Sequence, residues 1–302
     1  MLPSAGSAAA VLSGHPQSKL AASVLETNDQ LLSEEQRRFF HAHGFLSLPQ
    51  VATPDEADAL RAMYATWFDS KTGWKDGNFL DFGGLDDDQP QLPQILMPSA
   101  YEPSLRASGL HARCLAIAKE LLGPTAEFNF DHAMTKPAGG GKPTPWHQDK
   151  SFYTRATTHK TITIWIPLQP VTRDSGCLRF IPGSNHGPLL DHRHLNDDPR
   201  IHGLEAIGVD EAEAVYCPLE AGGATIHHHM TLHGAGANIS GSHRWAYAMG
   251  FGVRTATPLV PREFPWNRKS RTAREARFTS TLRGKQRLTY ATRAILVWLG
   301  LL

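Results

Sequence analysis

The chain has 302 residues, an apolar content of 41% and a formal net charge of +1, enough for one large domain or two small ones. A near-neutral balance gives nucleic-acid binding no global electrostatic support. Three scattered cysteines (Cys114, Cys177 and Cys217) argue against a disulfide framework or a thiolate zinc site, and fit a reducing cytoplasm.

Residues 1–30 begin with an Ala-, Ser- and Gly-rich stretch that contains Pro3 and lacks a basic leader, a poor signal peptide. They are predicted to be disordered, with a single domain over 31–302. Ser33-Glu34-Glu35-Gln36 reads as a capping box opening a helix that Gly44 stops. Phe45–Leu48 reads as a strand. Thr53-Pro54 starts a second helix with Leu60, Met63, Tyr64 and Trp67 on one face. Residues 70–98 are irregular, acidic and rich in Gly and Pro, which predicts a lid or binding loop. A third helix is predicted over Leu105–Leu122.

From Ala126 the period shifts toward two. Strands are predicted at Phe130–Lys136, Thr161–Leu168, Gly176–Ile181, Ala214–Pro218, Gly223–His228 and Arg244–Val253, with an insertion over about 188–213. Short strands between Gly/Pro turns, preceded by helices, predict a mainly β fold with flanking helices. The form expected is a double-stranded β-helix, a cupin-like jelly roll, with its core over about 126–254. Gly139-Gly140-Gly141 reads as a turn, since no phosphate-loop pattern follows. The tail over 261–293 carries ten Lys/Arg against two Glu, while residues 55–88 carry nine acids against three bases. These read as two solvated faces, or as an acidic loop on a basic tail; an anionic substrate or a subunit contact is the sharper alternative. No apolar run has the ~18 residues of a membrane span. The longest, Ala294–Leu302, would pack on the domain or on a partner subunit, which leaves a homo-oligomer open.

The chemistry concentrates in His147-Gln148-Asp149, in His233, 86 residues later, and in Arg244, 11 residues beyond that. Two imidazoles and a carboxylate form the facial triad that holds iron(II) and leaves open positions. An arginine supplies a planar fork for a carboxylate. Side chains alternate along a strand, so 147 and 149 are expected to share one face. A His-x-Asp pair alone is weak in a chain with 16 histidines. His227, His228 and His229 are competing ligands by composition.

The order of motifs carries more. After His147-Gln148-Asp149 come Ile162-Thr163-Ile164-Trp165-Ile166-Pro167-Leu168, then Asp174-Ser175-Gly176-Cys177-Leu178-Arg179-Phe180-Ile181-Pro182-Gly183-Ser184-Asn185-His186, then Leu232-His233-Gly234-Ala235-Gly236-Ala237-Asn238 and Arg244. This succession, from about Leu32 to Gly252, resembles the phytanoyl-CoA dioxygenase family of iron(II)/2-oxoglutarate oxygenases. The resemblance implies His147, Asp149 and His233 as metal ligands and Arg244 as the partner of the far carboxylate of 2-oxoglutarate. It places Trp165 and Gln94 near that co-substrate, and Ala235 where the family commonly has a hydroxyl. It implies dioxygen as oxidant and a small-molecule substrate, with hydroxylation of a natural product as the leading reaction. Related halogenases lack the carboxylate, so Asp149 disfavours halogenation. An acyl-CoA hydroxylase, a non-catalytic metal-binding jelly roll and a zinc hydrolase are the alternatives. His228 is read as structural or as a neighbour of the ligands, and His227 and His229 as structural. Lys136 and Lys142 read as solvated, Phe152 and Tyr153 as mouth or core, and Ser184 and His186 as structural.

Overall fold

The computed structural model describes residues 30–85, 89–152, 159–254, 264–266 and 272–284. The predicted disorder of residues 1–30, the apolar C-terminal run, Tyr153 and most of the basic tail fall outside them.

Helix α1 (Glu34–His43) begins at the expected capping box, with Ser33 and Gln36 each bonding the other's backbone N–H, and ends at Gly44 with φ 78°. Strand β1 (Phe45–Leu48) follows, then α2 (Pro54–Asp69), capped reciprocally by Thr53 and Glu56. The irregular span 70–98 proves to hold a hairpin, β2 (Phe79–Asp81) and β3 (Pro93–Leu96). Its closure is local: the Asp81 carboxylate accepts the N–H groups of Gly83, Gln91 and Leu92. The third helix, α3 (Gly109–Leu122), starts four residues later than the expected Leu105. Pro103–Leu105 forms a 3-10 turn, and the Ser108 side chain accepts the His111 N–H as N-cap.

The strands that follow are β4 (Glu127–Lys136), β5 (Thr144–His147), β6 (His159–Pro167) and β7 (Leu178–Phe180). The 188–213 insertion is again not patternless: β8 (His192–His194) pairs with β9 (Leu204–Ala206) around buried Leu195 and Ile201. Then come β10 (Val215–Cys217), β11 (Ala224–His228), β12 (His233–Ala235) and β13 (Arg244–Arg254), and α4 (Ala273–Thr281) near the end.

The antiparallel strands form a major sheet in the order β1-β11-β6-β13-β4-β3-β2 and a minor sheet in the order β10-β7-β12-β5. They face each other as in a jelly roll without closing into a barrel. Alternation along β6 and β13 separates the layers. Ile162, Ile164, Ile166, Tyr247 and Met249 pack under α2 and α3 with Leu60, Tyr64, Cys114 and Ile117. Trp165, Ala246 and Ala248 face the minor sheet with Leu178 and Phe180. No described helix is long and apolar enough to cross a membrane. Small residues at the centre of β13 open the space between the sheets. Gly250 is one case, since a Cβ there would run into the Phe130 ring on the neighbouring strand.

Candidate metal and co-substrate site

His147 ends β5, and His233 begins β12 directly opposite it in register. Each ring is oriented by its own chain. His147 Nδ1 lies 2.8 Å from the Pro145 carbonyl oxygen, and His233 Nδ1 lies 3.0 Å from that of Thr231. Donating Nδ1–H to a carbonyl leaves the Nε2 lone pair free for a metal. Both Nε2 atoms point at one carboxylate oxygen: Asp149 Oδ1 is 3.8 Å from His147 Nε2 and 3.5 Å from His233 Nε2. One donor atom from each of these residues falls within a 4.8 Å group.

Asp149 does not share a strand face with His147 as expected. The strand ends at His147, and Asp149 opens the 3-10 turn Asp149–Phe152. The residue between them makes the turn rigid. Gln148 is fully buried; its amide nitrogen donates to the Pro188 and Met230 carbonyls, and its amide oxygen accepts the Leu190 N–H.

Burial favours the neutral form of His147 and of His233, which lowers both imidazoles, His233 well below its ordinary value. Burial works against ionising Asp149, but the imidazoles of His233, His227 and His147 outweigh it and hold the carboxyl well below the usual range. A divalent cation at the corner would take the place of the imidazole protons that hold the carboxylate ionised, leaving neutral imidazoles beside an ionised carboxylate.

The ligand corner opens on a cavity of about 300 Å³. Arg244, at the start of β13, lies in its wall and is only 4% exposed. Burial lowers its guanidinium to about 10, so it stays charged near neutral pH. Its Cζ sits 5.4 Å from the centre of the Trp165 ring. Its Nε and Nη1 have no hydrogen-bond partner among the described residues. Lys136, opposite it on β4, is buried rather than solvated, and donates from Nζ to the Lys142 and Gly236 carbonyls at 2.8 and 2.5 Å. A buried guanidinium with unpartnered donors in the cavity wall fits a carboxylate ligand, whereas burial and the Arg244 charge push the Lys136 ammonium well below its ordinary value. The donor set of the corner fits iron(II) by the same measure. Gln94 and Trp165 line the same cavity; Ala235 is buried without a hydroxyl, and Thr144, opposite it on β5, lines the cavity too.

His228 does not belong to the site: its Nδ1 accepts the Met230 N–H, and it is not in the cavity wall. His229 is structural, bonded to the Thr161 backbone. His227, read from the sequence as structural, is instead in the wall, with Nε2 3.3 Å from Asp149 Oδ2. Thr163 was missed as well; its hydroxyl donates to the same oxygen at 2.7 Å. Phe152 lines the cavity with Phe82, Phe130, His132 and His202.

Two facing antiparallel sheets, a His-Asp-His corner and a buried arginine in one cavity define the class of iron(II)- and 2-oxoglutarate-dependent oxygenases. Within that class the chain belongs to the phytanoyl-CoA dioxygenase family, whose model matches residues 40–246. A crystal structure of EvdO2 from Micromonospora carbonacea var. aurantiaca is similar with a TM-score of 0.69 and 37% identity, covering 81% of this chain and 99% of that one. The same protein complexed with 2-oxoglutarate has a TM-score of 0.65 and 35% identity, covering 78% and 96%. SnoK, a non-heme alpha-ketoglutarate-dependent carbocyclase from nogalamycin biosynthesis, has a TM-score of 0.61 and 25% identity over 75% of this chain and 86% of its own. A probable alpha-ketoglutarate-dependent hypophosphite dioxygenase of Stutzerimonas stutzeri is 28% identical; the match covers 56% of this chain and 60% of that protein.

Proposed function

We propose that this chain is an iron(II)/2-oxoglutarate-dependent dioxygenase that oxidises an unactivated C–H bond of an uncharged, ring-bearing small molecule, with release of succinate and CO2. The observation that carries the reading is the buried Arg244 guanidinium, with unpartnered donors, in the same cavity as the His147–Asp149–His233 corner. Neither a zinc hydrolase nor an inert metal-binding jelly roll gives a reason for such an arginine.

His147, Asp149 and His233 would hold the iron, and Arg244 the far carboxylate of 2-oxoglutarate, with Gln94 and Trp165 alongside. With 2-oxoglutarate and dioxygen the iron supplies the oxidising chemistry of the class. The chain's own contribution is placement. The backbone carbonyls at Pro145 and Thr231 fix the two imidazoles, and Gln148 fixes the turn that carries Asp149. Arg244 draws the co-substrate into a cavity whose aromatic walls keep water away.

The lining supports the substrate class. Apart from Asp149 and Arg244, the wall has no carboxylate and no lysine or arginine among the described residues. What remains for a substrate is the rings of Phe82, Phe130 and Phe152, and the imidazoles of His132 and His202, which burial lowers to about 4 and about 3 and so keeps neutral. Flat apolar faces and neutral hydrogen-bonding groups suit a ring with hydroxyl or carbonyl substituents. A natural-product role is in keeping with SnoK, and this lining disfavours the acyl-CoA alternative, whose phosphates call for cations. The test is succinate release from 2-oxoglutarate with iron(II) in air, in the intact protein and in Asp149→Ala. Release that requires Asp149 supports the oxygenase; equal release by the alanine variant, or none by either, overturns it.

A further inference from the structure

Asp149 presents its two oxygens to different surroundings. Oδ1 faces His147 and His233, while Oδ2 faces Thr163 Oγ1 at 2.7 Å and His227 Nε2 at 3.3 Å. Thr163 on β6 and His227 on β11 are cross-strand partners in the major sheet, whereas Asp149 hangs from the turn after β5 of the minor sheet. The two contacts to Oδ2 therefore bridge the layers. His227 is 2% exposed, and its ring is packed between Phe180, 5.5 Å away, and His233, 4.1 Å away. Neither ring nitrogen makes a well-directed hydrogen bond to another described residue. A buried imidazole left that way is costly, and the Asp149 carboxylate is the polar group within reach.

We infer that Thr163 and His227 are positioning residues that hold the outer oxygen of Asp149, so that this carboxylate meets the metal through one oxygen. The inference rests on the reading of His147, Asp149 and His233 as ligands. Its consequence is for coordination: a second carboxylate oxygen on the metal would occupy a position that the facial arrangement leaves open for co-substrate or dioxygen. It also gives His227 a task other than ligation, consistent with its absence from the 4.8 Å donor group.

Titration of the metal-free full chain with Co(II), followed by absorption, tests this without turnover. Thr163→Val and His227→Phe each remove a donor and keep the shape, and are expected to bind Co(II) about 10- to 100-fold more weakly. Thr163→Ser and His227→Gln keep a donor and should stay close to the original affinity. In an Asp149→Ala background, Thr163→Val and His227→Phe should change little further. Far-UV circular dichroism establishes folding; His227→Leu replaces the phenylalanine variant if that one does not fold. Unchanged Co(II) affinity in both single variants overturns the inference. So does a loss for His227→Phe that persists at full size without Asp149, which would make His227 a ligand itself. Should Asp149→Ala alone leave Co(II) binding intact, it is the ligand assignment that fails, a result separate from the other two.

Discussion

Arg244 is buried with nothing of opposite charge beside it, and Lys136 is its immediate cross-strand neighbour. A desolvated guanidinium raises the free energy of the folded chain until an anion arrives, and with burial it pushes the Lys136 ammonium well below its ordinary value. Arg244→Leu should remove a charge-assisted pair worth about 2–5 kcal/mol. At 1.4 kcal/mol per tenfold, that is a rise in half-saturating 2-oxoglutarate of roughly 30-fold or more. Arg244→Lys should recover only part, because one ammonium cannot reproduce the fork. An unchanged half-saturation in the leucine variant would show that another basic residue holds the co-substrate carboxylate. At Gly250 the expected outcome is steric. Gly250→Ala pushes the Phe130 ring toward the cavity, so it should weaken substrate binding while leaving 2-oxoglutarate binding largely unchanged. Equal loss of both in a folded variant would mean that β13 itself has shifted.

At the scale of elements, the irregular segment 70–98 and the insertion over about 188–213 each hold a short hairpin, and α4 ties them together. Arg274 donates to the Gly77 carbonyl, Arg277 donates to that of Phe79 and lies 3.6 Å from the Trp74 ring centre, and the Ala273 N–H reaches the Arg200 carbonyl. The basic tail thus meets the acidic region in part through backbone oxygens. Amide hydrogen exchange should show residues 70–78 and 196–203 opening faster than β5 and β12. Arg277→Ala should speed exchange over 73–79 and leave the ligand strands as they were. Uniform protection in that variant would show that β2 and β3 hold this wall unaided. Much of this level was legible in the chain. The capping box at Ser33, the helix start at Thr53-Pro54 and the central strands stand where their local signals put them, because those signals act within four residues. The His-Gln-Asp and Leu-His-Gly runs and Arg244 stood out only through the order of motifs shared with the family, since the local His-x-Asp signal is weak. Asp149 was misplaced because nothing in the sequence says that β5 stops at His147. His227 was missed because three successive histidines look alike until register puts one of them opposite Thr163, on the face that Trp165 shares. That information lies in strand pairing across more than 60 residues, not in any local pattern.

Across the whole molecule, burial shapes the response to acid. It lowers His132, His192 and His228 to about 4, and His202 and His229 to about 3. Each folded value lies below the unfolded 6.5. Protonation therefore favours the unfolded chain, and the stability present above pH 6.5 is lost as pH falls through 6.5 toward 4 and 3. Asp131, raised by burial, works in the opposite sense and offsets part of the loss. The metal-free protein should show a Tm that declines steadily between pH 6.5 and 4, and the iron-loaded protein a steeper decline as protons compete for His147 and His233. A Tm flat over that range in the metal-free protein would mean these histidines are solvated.

The face-to-face register of His147 and His233 has a further bearing, on how the protein comes into being. Two donors leave the ribosome almost together, and the third follows 86 residues after the first. Until β12 has docked beside β5 there is only a solvent-exposed His-x-Asp, too weak to retain iron against the cell's other ligands. A nascent or partly unfolded chain is therefore not a redox centre. Reactive metal arrives only once the two layers stand ready to direct it, so long-range pairing guards the newborn chain against oxidising itself.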